Sequence, residues 1–380
     1  MLASPTGADD PGTLLEALKS RIAREGPLTI AQYMDACLCD PEHGYYATRD
    51  PFGSGGDFIT APEISQIFGE LIGLWCAVTW QQMGAPACLK LVELGPGRGT
   101  LMADALRAGA RVNGFIEAAQ LHLVETSPVL RRLQGERLED SGLTPQWHDL
   151  LDEVPGGAAV LIANEFLDAL PVRQFERRDG AWFERCIGVS VGGGLEYCSA
   201  AKSLNTNEIL PQSIRDTARD GDMVEIRPGV DAIVEAIAAR AQTSPIAALF
   251  IDYGHETSAP GETLQAVKAH DYADPLSRPG ETDLTAHVDF AQLGHVAGKK
   301  GLKVHCPLPQ GEFLLALGLE ERCDRLMGDA DDDTAKTISS GAKRLVDPTQ
   351  MGELFKVMAL TSEHLTPPPF DGAQAPEQDT

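Results

Sequence analysis

Glu93-Leu94-Gly95-Pro96-Gly97-Arg98-Gly99-Thr100-Leu101 is the stretch that decides the fold of this chain. An apolar run with one lysine, Leu89 to Leu94, leads into it as a buried parallel strand would. A helix-forming segment, Leu101 to Leu106, leads out. Glycines between a strand and a helix let the backbone turn tightly and approach a ligand without a Cβ in the way. The spacing is Gly-x-Gly-x-Gly rather than the Gly-x-Gly-x-x-Gly of dinucleotide enzymes. Glu93 stands before the first glycine, at the carboxyl end of the strand. A carboxylate there suits a ligand with an ammonium group better than one with a pyrophosphate, which points to S-adenosylmethionine, whose amino-acid end is zwitterionic.

Further along, Leu121 to Glu125 reads as a second strand ending in an acid, and Ser127-Pro128 reads as a helix N-cap with proline at the first helical position. An acid at that place can accept hydrogen bonds from both hydroxyls of an adenosine ribose. Third and fourth strands are expected at Trp147-His148-Asp149 and Ala158 to Ala163, and a fifth at Ile246 to Ile251. Late strands follow at Leu302 to His305 and Phe355 to Leu360. Asp179-Gly180 between two β-rich runs marks a hairpin. This strand–helix alternation predicts a doubly wound, Rossmann-like α/β sheet with an N-terminal helical segment and inserted lid and hairpin elements.

The expected division of the chain is a tail at 1–12, a helical segment at 13–85, a core at 86–362 with insertions near 177–220 and 255–290, and a second tail at 363–380. Both tails are rich in Pro, Gly and acids and are expected to be disordered. Thr29 to Gln32 and Thr60 to Glu63 each carry the pattern of a capping box. Gly53 to Ser65 pairs a glycine loop with a helix start, a surface suited to closing over a ligand, so Thr60, Pro62 and Glu63 join the expected cofactor contacts.

Composition narrows the function. The net charge of −25 over 380 residues opposes nucleic-acid binding and favours a basic partner. No apolar run approaches the roughly 20 residues of a membrane span. The eight cysteines include no Cys-x-x-Cys, no metal set is evident, and the N-terminus resembles neither a signal nor a transit peptide. Together these features predict reduced thiols and a cytoplasmic location.

In an open α/β sheet the ligand lies beyond the carboxyl ends of the strands. The expected cofactor residues there are Glu93, Gly95, Gly97, Gly99, Glu125, Asp149, Leu150 and Asn164, and Asp252-Tyr253 ends the fifth strand at the same edge. Asp149 either meets the adenine amino group or caps a helix. Asn164, Glu165 and Asp168 follow the fourth strand and offer an amide and two carboxylates, a set able to hold a cationic nitrogen nucleophile. They are the candidate catalytic residues; the bland alternative is a capped helix start with two exposed acids. His43, His287 and His305 are read as structural, with proton acceptance as the alternative.

Several segments in combination resemble the MidA-like family of class I methyltransferases. They are Ser54 to Ser65, Glu93 to Thr100, Asn164 to Pro171, Asp283 to Phe290 and Met351 to Val357. The mitochondrial members of that family are complex I assembly factors that dimethylate an arginine on a subunit of the complex. The resemblance implies a seven-stranded sheet, S-adenosylmethionine as cofactor and an arginine-bearing protein client such as a respiratory-complex subunit. A homodimer is a separate expectation, which the sequence itself does not show. The alternatives are a methyltransferase for a small molecule or another side chain, or a non-catalytic assembly factor that binds the cofactor.

Overall fold

The computed structural model describes residues 13–48, 60–205, 210–268 and 271–370. The glycine loop expected at 53–58 to close over a ligand therefore lies outside the described residues. The chain forms two compact units, one built from residues up to 49 with 171–226 and 260–285, the other from the remainder.

The larger unit is built on seven strands: β1 (Leu89–Leu94), β2 (Ala119–Val124), β3 (Gln146–His148), β4 (Ala159–Asn164), β5 (Ile246–His255), β6 (Lys303–Pro309) and β7 (Phe355–Thr361). Their spatial order is β6-β7-β5-β4-β1-β2-β3, with β7 antiparallel to both neighbours and every other pairing parallel. A two-residue strand, Val288–Asp289, adds to the end of β5. The burial of every residue in β1, β4 and β7 follows from a sheet covered on both faces.

The principal helices of this unit are α1 (Ala61–Ile64), α2 (Gln66–Gln82), α3 (Thr100–Gly109), α4 (Pro128–Arg137), α5 (Pro228–Ala241) and α6 (Phe290–Lys299). On one face Phe68, Leu71, Ile72 and Trp75 of α2 and Leu101 and Leu106 of α3 pack with Leu91, Val160 and Leu249. On the other, Val234 and Ile237 of α5 and Leu293 of α6 pack with Val92, Leu161 and Phe250. Residues 66–82 thus belong to the sheet's core, whereas the sequence division placed them in a separate N-terminal segment. The chain runs from β1 outward through β2 and β3, then returns to β4 on β1's other side. The connections leaving β1 and β4 consequently diverge and open a crevice at their carboxyl ends.

The smaller unit begins with a helix at Leu14–Glu25 capped by Thr13 and another at Ile30–Cys39, where Thr29 and Gln32 form the predicted capping box. Its five-stranded antiparallel sheet contains the hairpin Arg173–Arg178 and Ala181–Val189. Asp179 and Gly180 turn that hairpin with φ of 49° and 75°, as a two-residue turn between twisted strands requires. The stretch Met223–Ile226 pairs here with Arg173–Glu176. The polar segment read as an insertion forms a second, three-stranded sheet from Gln265–Lys268, Asp271–Ala273 and Asp283–Thr285.

Candidate functional site

The crevice side of β1 carries the first acid. Glu93 is 2% exposed, and among the described residues its Oε2 has no hydrogen-bond partner. Burial, reinforced by the charge of Glu125, pushes its carboxyl up to about 8. The loop that follows holds Gly95, Gly97 and Gly99 at φ of 62°, 53° and 78°, a region that L side chains rarely occupy. At Gly95 space adds to conformation, because a Cβ would meet the Phe166 ring at 2.7 Å. Gly99 is the N-cap of α3 and brings no side chain to that helix start. The first backbone N–H groups of α3 thus favour an anion such as a carboxylate.

Glu125 directly follows β2 and is 9% exposed. Its Oε1 accepts the Ser127 N–H at 2.8 Å, and its Oε2 accepts from Gln134 Nε2 at 3.2 Å. Burial is the main cause raising its carboxyl above the ordinary range. Ser127 caps α4 as predicted, accepting the Leu130 N–H, with Pro128 at the first helical position. Asp149 lies 65% exposed and receives Arg131, whose Nε also donates to the Glu125 carbonyl at 2.6 Å. Leu150 beside it is 63% exposed.

At the end of β4, Asn164 is 9% exposed with its Oδ1 unpartnered among the described residues. Glu165 takes a φ of +48°, strained for a non-glycine residue and of the kind that clusters at functional sites. Its Oε1 accepts the Ala61 N–H at 3.0 Å and Asn164 Nδ2 at 3.2 Å. Burial pushes the Glu165 carboxyl up to about 7, with the Ala61 bond opposing and Asp168 adding to the rise. The expected capping box at Thr60 does not form, since Thr60 makes no side-chain cap. Glu165 instead satisfies the start of α1, and Glu63 turns to the Thr100 hydroxyl.

Asp168 is buried, and its carboxylate is tied to Tyr253. Behind it, Asp252 at 1% exposure accepts the backbone N–H groups of Leu167 and Asp168 at 2.9 and 3.1 Å, which fixes the path of the segment after β4. Burial and the Asp168 charge drive the Asp252 carboxyl well upward.

Thr60, Pro62, Glu63, Glu93, Gly95, Gly97, Asn164 and Glu165 line one recess, joined there by Pro96, Arg98, Thr100 and Leu101. Eight of the expected site residues therefore meet in one place. Gly99, Glu125, Asp149, Leu150 and Asp168 lie outside its lining; Glu125 connects to it through Gln134, which also donates to the Gly97 carbonyl at 2.8 Å. Gln134 escaped the sequence reading of the site, and Asp252 was placed at this edge without its role in ordering the segment after β4. The one sign of Gln134 was its place one helical turn beyond the buried Leu130. None of the three histidines lines the recess. His305 bonds Thr361 at 3.0 Å and is lowered by burial to about 4, His287 packs edge-on against Tyr253, and His43 stands 3.7 Å from Asp40.

The recess suits S-adenosylmethionine on these grounds. Glu93 Oε2 is a buried acceptor without a donor among the described residues, and such a group is costly unless a ligand satisfies it. The amino-acid end of the cofactor supplies N–H donors and a positive charge, and the start of α3 suits its carboxylate.

Residues 71–308 match the Methyltransf_28 family, described as "Putative S-adenosyl-L-methionine-dependent methyltransferase". A Drosophila melanogaster relative, "Protein arginine methyltransferase NDUFAF7 homolog, mitochondrial", is 38% identical over 94% of this chain and 87% of its own length. The human "Protein arginine methyltransferase NDUFAF7, mitochondrial" is 34% identical over 93% and 84%. A crystal structure of a COG1565 superfamily member from Burkholderia thailandensis, bound to S-adenosyl-homocysteine, superposes with a TM-score of 0.79 at 28% identity, covering 94% of this chain and 95% of that one. The chain belongs to this family of S-adenosylmethionine-dependent methyltransferases, and the sheet order above is its class I fold. The mitochondrial names of the relatives contradict the cytoplasmic location expected from the sequence, which is withdrawn.

Proposed function

We propose that this enzyme transfers methyl groups to an arginine side chain of a client protein, with Glu165 and Asn164 positioning the guanidinium. The observation that carries the reading is the placement of both residues in the recess that also holds Glu93 and the glycine loop. When bound, the cofactor supplies an activated methyl group, so the protein has to orient and stabilise rather than activate. Glu93 takes the ammonium, and Glu125 takes the ribose hydroxyls. The buried carboxylate of Glu165 forms a charge-assisted pair with one edge of the guanidinium, and the Asn164 carbonyl accepts from the same fork.

A guanidinium is protonated at neutral pH and must lose a proton as it is methylated. The Glu165 carboxyl, lifted to about 7, is matched to receive that proton near neutral pH. Asp168, held by Tyr253 and by the Asp252-ordered backbone, adds negative charge behind Glu165. The net charge of −25 favours approach of a basic client segment. The relatives named as protein arginine methyltransferases support the same substrate class. A respiratory-complex subunit is the first client to examine.

The test is transfer of tritiated methyl groups from S-adenosylmethionine into lysate of a strain lacking this protein, with the labelled position mapped by mass spectrometry. Label on an arginine supports the proposal. Label on another side chain or only on small molecules overturns it.

A further inference from the structure

Gln134 lies nine residues beyond Glu125, on the helix that Ser127 caps, and is fully buried. Both N–H donors of its amide and its oxygen are used. Nε2 donates to the Gly97 carbonyl at 2.8 Å and to Glu125 Oε2 at 3.2 Å, and Oε1 accepts the Trp147 indole N–H at 2.8 Å. The amide cannot turn over. A flip would set its oxygen against a carbonyl and a carboxylate, and its N–H groups against the indole donor. One side chain thereby joins the loop at the end of β1 to the acid at the end of β2.

The Glu125 carboxylate is correspondingly prepared. Oε1 accepts the Ser127 N–H and Oε2 accepts from Gln134, with the Thr126 N–H also bonding the carboxylate. The carboxylate keeps accepting capacity beyond these donors, and a vicinal diol offers two donors at matching spacing. Without the Gln134 contact Oε2 loses its fixed orientation, and the loop loses its link to the acid.

We propose that Gln134 is a positioning residue that presets Glu125 for the ribose diol and holds the Gly97 backbone in register with it, so that selectivity for the ribose hydroxyls depends on this amide. The inference rests on the assignment of Glu125 to the ribose.

The test is calorimetric binding of S-adenosylhomocysteine and its 2′-deoxy analogue to the full chain, the Gln134→Met variant and a Glu125→Ala control, each checked by thermal melting. The parent should prefer the hydroxylated ligand by about tenfold, the worth of one charge-assisted bond. Gln134→Met should lose about tenfold in affinity for S-adenosylhomocysteine and most of its preference over the analogue. Unchanged affinity, or equal losses for both ligands with the preference intact, would overturn the proposal. If Gln134→Met does not fold, Trp147→Phe removes only the donor that orients the amide; it should narrow the preference, and an intact preference there counts equally against the proposal. The control separates the two levels: if Glu125→Ala binds both ligands as the parent does, the ribose assignment itself fails, whereas loss in Glu125→Ala with none in Gln134→Met refutes only the role of Gln134.

Discussion

Two acids end two neighbouring strands of one sheet, and the protein treats them in opposite ways. Glu93, near the end of β1, is buried with one oxygen unpartnered among the described residues, and its carboxyl rises to about 8. Glu125, after β2, has a backbone donor on one oxygen and an amide on the other. The first is a costly group until a donor reaches it, and a cation meets it best once it is ionised; the second is already oriented by its donors, as the proposed ribose role requires. On the proposed assignment, the same residue type at the same topological place serves two halves of one ligand, and the surrounding donors make the difference.

The largest effect that would test this contrast is at the loop between them. Gly97→Val forces a branched residue into a φ of 53° where the backbone meets the ligand. Binding of S-adenosylhomocysteine should vanish in calorimetry while the circular dichroism spectrum of the fold persists. Next comes Glu125→Ala, which removes two charge-assisted acceptors at about 1.5–3 kcal/mol each, a loss of roughly 10²-fold or more in affinity. Glu125→Gln should lose less. Equal binding by both variants would place the ribose elsewhere.

Glu93→Gln sharpens the comparison because it should move affinity and stability in opposite directions. The variant loses the charge that meets the ammonium, about 10- to 100-fold in affinity. For the ligand-free protein the sign is reversed. The folded carboxyl titrates near 8 against an ordinary value of 4.5, so the fold loses stability as pH rises from 4.5 through about 8. Replacing the acid with an amide should recover on the order of 3 kcal/mol at pH 7, read as a higher Tm. A lower Tm at that pH would contradict the burial argument.

The most graded effect is the pH profile of binding, which changes step by step with pH. When the ammonium meets Glu93, the carboxyl proton is expelled, so affinity should rise by up to about tenfold per pH unit between pH 6 and about 8. Above that the ligand's own ammonium deprotonates and the curve turns down. Glu93→Gln should lose the rising limb.

What the sequence revealed and what it hid follow one physical division. The glycine loop, the acid after β2, the Ser127 cap and the Asp179-Gly180 turn were legible because their chemistry is local: dihedral demand, a cap, a strand end. The hidden parts are long-range. Gln134 meets Gly97 from 37 positions away, Asp252 orders Leu167 across 85, and Glu165 caps Ala61 across 104. The Thr60 box was misread for the same reason, since a remote carboxylate competes for the role that the local pattern assigned to a threonine. The smaller unit escaped the division by sequence position because it is assembled from three separated stretches.

The central claim is that the end of β4 holds the substrate and not the cofactor. The direct measurement compares Glu165→Gln with the parent on the same preparations, titrating S-adenosylhomocysteine and then following a single turnover of methyl transfer to the labelled client. The account predicts cofactor affinity within a few-fold of the parent and a methyl-transfer rate lower by about 10²-fold or more. Weakened cofactor binding with an undiminished single-turnover rate would contradict it and move Glu165 into the cofactor site.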